Sequence, residues 1–132
     1  MITALVLAVL AQGALPDLPT PQGPPTEPVA QQIAQLEERM ERFEGGVYKK
    51  DGKLTCRIAQ SSGDKDVDMV RRGAMLRCLA PKADELDAIA ASGAPAADRN
   101  RRMQAVVAGA QPCVKDADAA GVRMLAEKRA PA

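Results

Sequence analysis

Only two aromatic side chains, Phe43 and Tyr48, occur in this chain of 132 residues, and there is no tryptophan. Any core must be assembled from Leu, Ile, Val, Met and Ala, which remove less apolar area from water per residue than rings do. That predicts modest stability and a fold made of short amphipathic pieces.

Residues Ile2 to Ala11 form a nearly unbroken apolar run, and no charged residue appears before Asp17. Such a run matches the core of a secretory signal and is shorter than the roughly 20 residues a spanning helix needs. Ala11 and Gly13 fit a signal-peptidase site with cleavage before Ala14, so residues 1–13 read as a signal peptide, with a retained anchor as the alternative. No Lys or Arg precedes the run. Pro16, Pro19, Pro21, Pro24, Pro25 and Pro28 then crowd one stretch. Proline removes backbone donors and fixes φ, so residues 14–27 read as an extended spacer. The expected product is a periplasmic or secreted protein with no membrane span in the mature chain.

The remainder, residues 28–129 with a tail at 130–132, has the size of one small domain. Its first helix is expected from Pro28 to Glu44, with Thr26 as N-cap and Gly45-Gly46 as the stop. Val29, Ile33, Leu36, Met40 and Phe43 follow heptad spacing, but the seam is too short for a coiled coil, so packing within the chain is favoured over a helix-mediated dimer. A hairpin is expected over 47–58. Asp51-Gly52 suits a two-residue type I′ turn, and Leu54, Cys56 and Ile58 share its inward face. Asp64 is the expected cap of a helix running to about Leu79, with Val67, Val70, Ala74 and Cys78 on its apolar face. Pro81 opens a short helix over Lys82 to Ala91. A further helix spans Ala96 to Ala110, with Met103, Val106, Val107 and Ala110 inward. Pro112 opens the last, which turns Val114, Ala117, Met124 and Leu125 inward. The fold class is therefore mainly α within α+β: about five short helices with one small hairpin.

Three cysteines, Cys56, Cys78 and Cys113, remain after the signal. In an oxidising compartment two of them should pair. Cys78 closes a helix and Cys113 opens another, each beside a proline where the chain turns, so these two are the expected bridge. A helix folding back along the second strand would leave Cys78 and Cys56 about 10 Å apart, beyond the ~7 Å Cα limit. Cys56 is then the candidate free thiol. No C-x-x-C pair or histidine stands by to activate it, although a thiol-redox protein is the alternative from another class.

Lys plus Arg number 18 against 17 Asp plus Glu. The balance is neutral, and the basic pairs Lys49-Lys50, Arg71-Arg72 and Arg101-Arg102 lack a sustained basic face or stacking rings, so nucleic acid is not an expected partner. With no histidine, no phosphate loop and no nucleophile elbow, the chain carries no enzyme or cofactor signature. Two acidic runs hint at calcium. Asp64, Asp66 and Asp68 are followed by Met69 where a loop needs glycine and Met75 where it needs glutamate. Asp116, Asp118, Gly121 and Glu127 fit better, but Ala120 and Arg123 break the ligand pattern and a loop there would destroy the last helix. No metal site is expected.

One segment resembles a known family. Asp51-Gly52-Lys53-Leu54-Thr55-Cys56-Arg57-Ile58-Ala59-Gln60-Ser61-Ser62-Gly63-Asp64, followed by Val67-Asp68, is similar to the middle of the TonB C-terminal domain. There a D-G turn leads into a strand, a Ser-Ser-Gly corner and a helix opening with a hydrophobic residue and Asp. The resemblance implies a strand–corner–helix unit and a Gram-negative envelope setting. Met69-Val70-Arg71-Arg72 stands where that family has paired alanines, and the strand that pairs with an outer-membrane receptor has no counterpart after Leu79. Energy transduction is not implied; a TonB-like accessory fragment is an alternative reading. The leading expectation is an exported, non-catalytic protein acting through protein contact in the envelope. Its candidate interface is the helix face Ile33, Leu36 and Met40, or the hairpin edge from Val47 and Tyr48 to Lys50.

Overall fold

The structure, a computed structural model, describes residues 23–131. The expected signal peptide and most of the spacer lie outside these residues. In chain order the elements are α1 (Glu27–Met40), β1 (Glu44–Lys50), β2 (Lys53–Gln60), α2 (Lys65–Leu79), a 3₁₀ turn (Ala80–Lys82), α3 (Ala83–Ala90), α4 (Ala96–Gly109) and α5 (Gln111–Arg129). The mainly helical α+β class with one hairpin is what the patterning predicted, and Cys78 is bonded to Cys113.

Two apolar clusters hold the chain together. In the first, Leu36 and Met40 of α1 meet Val67 of α2 and Val122 and Ala126 of α5, with Val29, Ile33, Val70 and Leu125 at its margin. Leu36 and Val67 are wholly buried, each worth roughly 2 kcal/mol of burial. The heptad face of α1 is thus an internal seam. Leu36 and Met40 are not an interface, as one expectation had it, because α2 and α5 already cover them. The second cluster joins Phe43, Cys56, Ala74, Met75, Cys78, Leu79, Ala110 and Val114, with Val47 and Leu54 of the hairpin packed on it. The hairpin gains the helix support that two strands need in water.

Several boundaries differ from expectation. Helix α1 stops at Met40, so Gly45-Gly46 is not its terminator but part of β1. A Cβ on Gly45 would lie 2.8 Å from the Phe43 ring and 2.8 Å from the carbonyl oxygen of Arg57. That glycine lets the buried ring lie against the strand. Thr26 occupies the N-cap position with extended backbone but makes no side-chain cap bond. Ile58 faces solvent (40% exposed) beside an irregularity where Glu44 pairs with Gln60 and Gly45 with Ile58, leaving Ala59 unmatched. Met124 is also exposed rather than inward, on the far side of α5 from Val122 and Ala126. Asp51 and Gly52 have φ of 53° and 76°, both left-handed, as a type I′ turn requires.

Helices α2 and α5 cross closely. A Cβ on Gly121 would stand 2.6 Å from Cγ1 of Val70. Helices α3 and α4 bury no residue fully and form an outlying pair, tethered to β1 by an ion pair between Lys49 and Asp87.

Candidate functional site

Within the hairpin, Lys50 and Lys53 flank the two-residue turn and are directly paired, as are Tyr48 with Thr55 and Gly46 with Arg57. Residues flanking such a turn exchange backbone bonds, and bonded and non-bonded pairs then alternate along an antiparallel ladder. The N–H and C=O groups of Lys50, Tyr48 and Gly46 therefore face β2. Those of Gly45, Val47 and Lys49 face away from it. No other described element supplies backbone partners to β1, so this edge is open among the described residues.

Side chains divide by the same parity. Val47, Lys49, Leu54 and Cys56 face the helices; Glu44, Gly46, Tyr48, Lys50, Lys53 and Arg57 face outward. Tyr48 is 42% exposed, unusual for the only tyrosine. A broad depression of about 810 Å³ lies over the hairpin, from Glu44 to Tyr48 on β1 across to Arg57 and Ala59 on β2. Beneath the hairpin lies a smaller apolar cavity of about 260 Å³, walled by Val47, Leu54, Leu86, Met103 and Val107, with the Lys49–Asp87 pair at its rim. Of the expected interface residues, Tyr48 is exposed and Val47 offers the edge its backbone while its side chain is half-buried on the second cluster, whereas Leu36 and Met40 are buried and Ile33 is half-buried against the first cluster.

The Cα atoms of Cys78 and Cys113 lie 5.8 Å apart. Cys56 is free and 8% exposed, inside the same cluster as Cys78. Burial pushes its thiol pKa up, and the nearby Arg72 offsets this only in part. A thiol held in that state is a poor nucleophile, which weighs against redox chemistry at Cys56.

The acidic runs serve the helices. Asp64 caps α2 by accepting from the N–H groups of Asp66 (3.0 Å) and Val67 (3.4 Å). It also accepts from Arg129 Nη1 at 2.6 Å and from Arg39 Nη1 at 2.6 Å, so one carboxylate joins α1, α2 and α5. The Arg129 bonds above all hold it well below the usual carboxylate range. Asp68 is half-buried, and desolvation opposes its charge, but bonds from the Ser61 and Ser62 hydroxyls and the Ser62 N–H outweigh that and keep its pKa low. The Ser-Ser-Gly corner is thereby stitched to the helix it precedes, and Gly63 supplies its left-handed turn at φ 88°.

Asp118 ion-pairs with Arg71 at 3.0 Å from within α5. Burial raises its pKa, Arg71 countering in part, and its Oδ1 has no hydrogen-bond partner among the described residues. Arg71 Nε also approaches Met40 Sδ at 3.4 Å, and its guanidinium lies 5.8 Å from the Phe43 ring centre. Glu127 is engaged by Arg123 at 3.0 Å. The residues weighed as a calcium loop are consecutive turns of one helix, and Gly121 is needed there for helix contact. Among the described residues no cluster of three Cys, Asp or Glu is placed to hold a metal ion.

Sequence reasoning missed Arg39, Arg71 and Arg129. Their partners lie 25, 47 and 65 positions away, so no local spacing could mark them. Fold and surface together define a disulfide-linked helical protein with an exposed strand edge. No protein-family model, no curated protein and no solved structure matches the chain.

Proposed function

We propose that this chain is an exported, non-catalytic protein of the cell envelope that works by binding another polypeptide along the hairpin. The carrying observation is the open edge of β1, where the backbone groups of Gly45, Val47 and Lys49 have no partner among the described residues. An open edge is a template for strand addition, in which main-chain bonds supply affinity and flanking side chains supply selectivity. The signal-like start, the proline-rich spacer and the disulfide support the envelope setting, as does the resemblance of Asp51 to Asp68 to the TonB C-terminal domain. No described helix is long and apolar enough to cross a membrane.

The test is capture from an envelope extract by the wild-type chain and by Val47→Pro, which removes an edge N–H without removing a bond to β2. A polypeptide held by the first and released by the second supports the reading. Recovery of native protein from the cytosol with Met1 attached defeats the export half of it. Equal capture by both baits defeats the edge.

A further inference from the structure

We infer that the open edge of β1 is complementary to itself, so that two copies of the chain pair antiparallel through β1 into a four-stranded sheet. This rests on the contact reading above and names its partner as a second copy. The strand reads Glu44-Gly45-Gly46-Val47-Tyr48-Lys49-Lys50, acidic at one end and basic at the other. A two-fold axis at Val47 places Glu44 of each copy opposite Lys50 of the other.

The backbone agrees with that axis. Gly45, Val47 and Lys49 carry the outward N–H and C=O groups, and an axis at Val47 sets Val47 against Val47 and Gly45 against Lys49, all bonded pairs. Glu44 with Lys50 and Gly46 with Tyr48 then become non-bonded pairs, whose side chains approach most closely. Both fall on the outer face. The exposed Tyr48 ring lies over the bare Gly46 of the second copy.

Electrostatics selects this register over its neighbours. Lys50 and Lys53 are directly paired within one hairpin, a repulsive arrangement. Neither they nor Glu44 has an ion-pair partner among the described residues. Glu44 of a second copy supplies the missing negative charge. Moving the axis to Tyr48 loses Glu44 from the pairing and sets ring against ring; moving it to Lys49 sets Lys49 against Lys49. An edge this short buries less than a standard interface of about 1,600 Å², as weak and transient contacts do, so concentrations of roughly micromolar to millimolar are needed to populate the dimer.

The test is sedimentation of the full chain from about 1 μM to about 1 mM, spanning that range. Wild type should pass from monomer to dimer. Glu44→Lys and Lys50→Glu should each weaken association by roughly tenfold, since each acts twice in a symmetric pair. The double variant, with the charges exchanged, should return to within about threefold of wild type. Both side chains are exposed, so circular dichroism should be unchanged. A dimer indifferent to both single reversals uses another surface and overturns the inference. A chain that stays monomeric yet captures an envelope polypeptide through β1 overturns the second-copy assignment and leaves the contact reading standing. One that binds neither itself nor any other polypeptide removes both.

Discussion

Gly121 is a residue whose meaning depends on its neighbour. In the linear chain it sits where a calcium loop would need its sharp turn. In the fold it is the point of α5 that Val70 of α2 presses against, with room for no methyl group. Gly121→Ala should therefore destabilise the protein by about 1–3 kcal/mol despite alanine's better helix propensity, as overpacking does. Urea unfolding measures this, and Val70→Ala in the same chain should recover most of the loss. Gly45 shows a related limit. Two adjacent glycines signalled a helix stop, yet Gly45 is required because the Phe43 ring and the Arg57 carbonyl leave no space for a side chain. Steric demands of this kind come from residues on other elements, so spacing along the chain does not display them.

Elements here are held at their ends as much as along their faces. Asp64 caps α2 and gathers Arg39 from α1 and Arg129 from α5. Asp64→Ala should cost about 1–3 kcal/mol, combining a lost cap with the loss of two ion pairs, since Arg129 keeps Asp66 at 2.8 Å and Arg39 is exposed enough to be solvated. Asp64→Asn should cost less, since an amide oxygen can still accept from the first turn. The pH dependence follows from direction alone. Asp64 and Asp68 both have depressed pKa values in the folded chain. Their contribution is complete above the ordinary Asp value of about 3.9 and is lost as pH falls through the folded values. Thermal melts from pH 7 down to strong acid should show stability falling below about pH 4, and Asp64→Asn should flatten that acid limb. The turn, the corner and the acid-capped start of α2 were legible because each is chemistry between near neighbours in sequence. The arginines completing the cap were not, because tertiary packing alone brings them there.

At the scale of the whole molecule, the number and order of helices, the single hairpin and the Cys78–Cys113 bridge could be read from proline positions, apolar spacing and turn residues. The division into two apolar clusters could not, because it depends on how α5 crosses α2. Closing a loop across a sequence separation of 35 should stabilise the fold by about 4 kcal/mol. Reduction followed by urea unfolding should reveal that loss, while alkylation before denaturation should label neither Cys78 nor Cys113 in the oxidised protein. Of the candidate site, the hairpin edge was legible from its turn and strand pattern. The helix face proposed beside it was misplaced because an amphipathic stripe looks the same whether its cover is another chain or its own.

The bridge has one further effect on how this protein meets proteases. Helices α3 and α4, which bury no residue fully, lie wholly between the bonded cysteines. A single cut there opens a covalent ring without releasing a fragment, so the two halves stay together until a reductant parts them. This outlying excursion of the backbone is therefore one that the molecule can have severed and still remain whole.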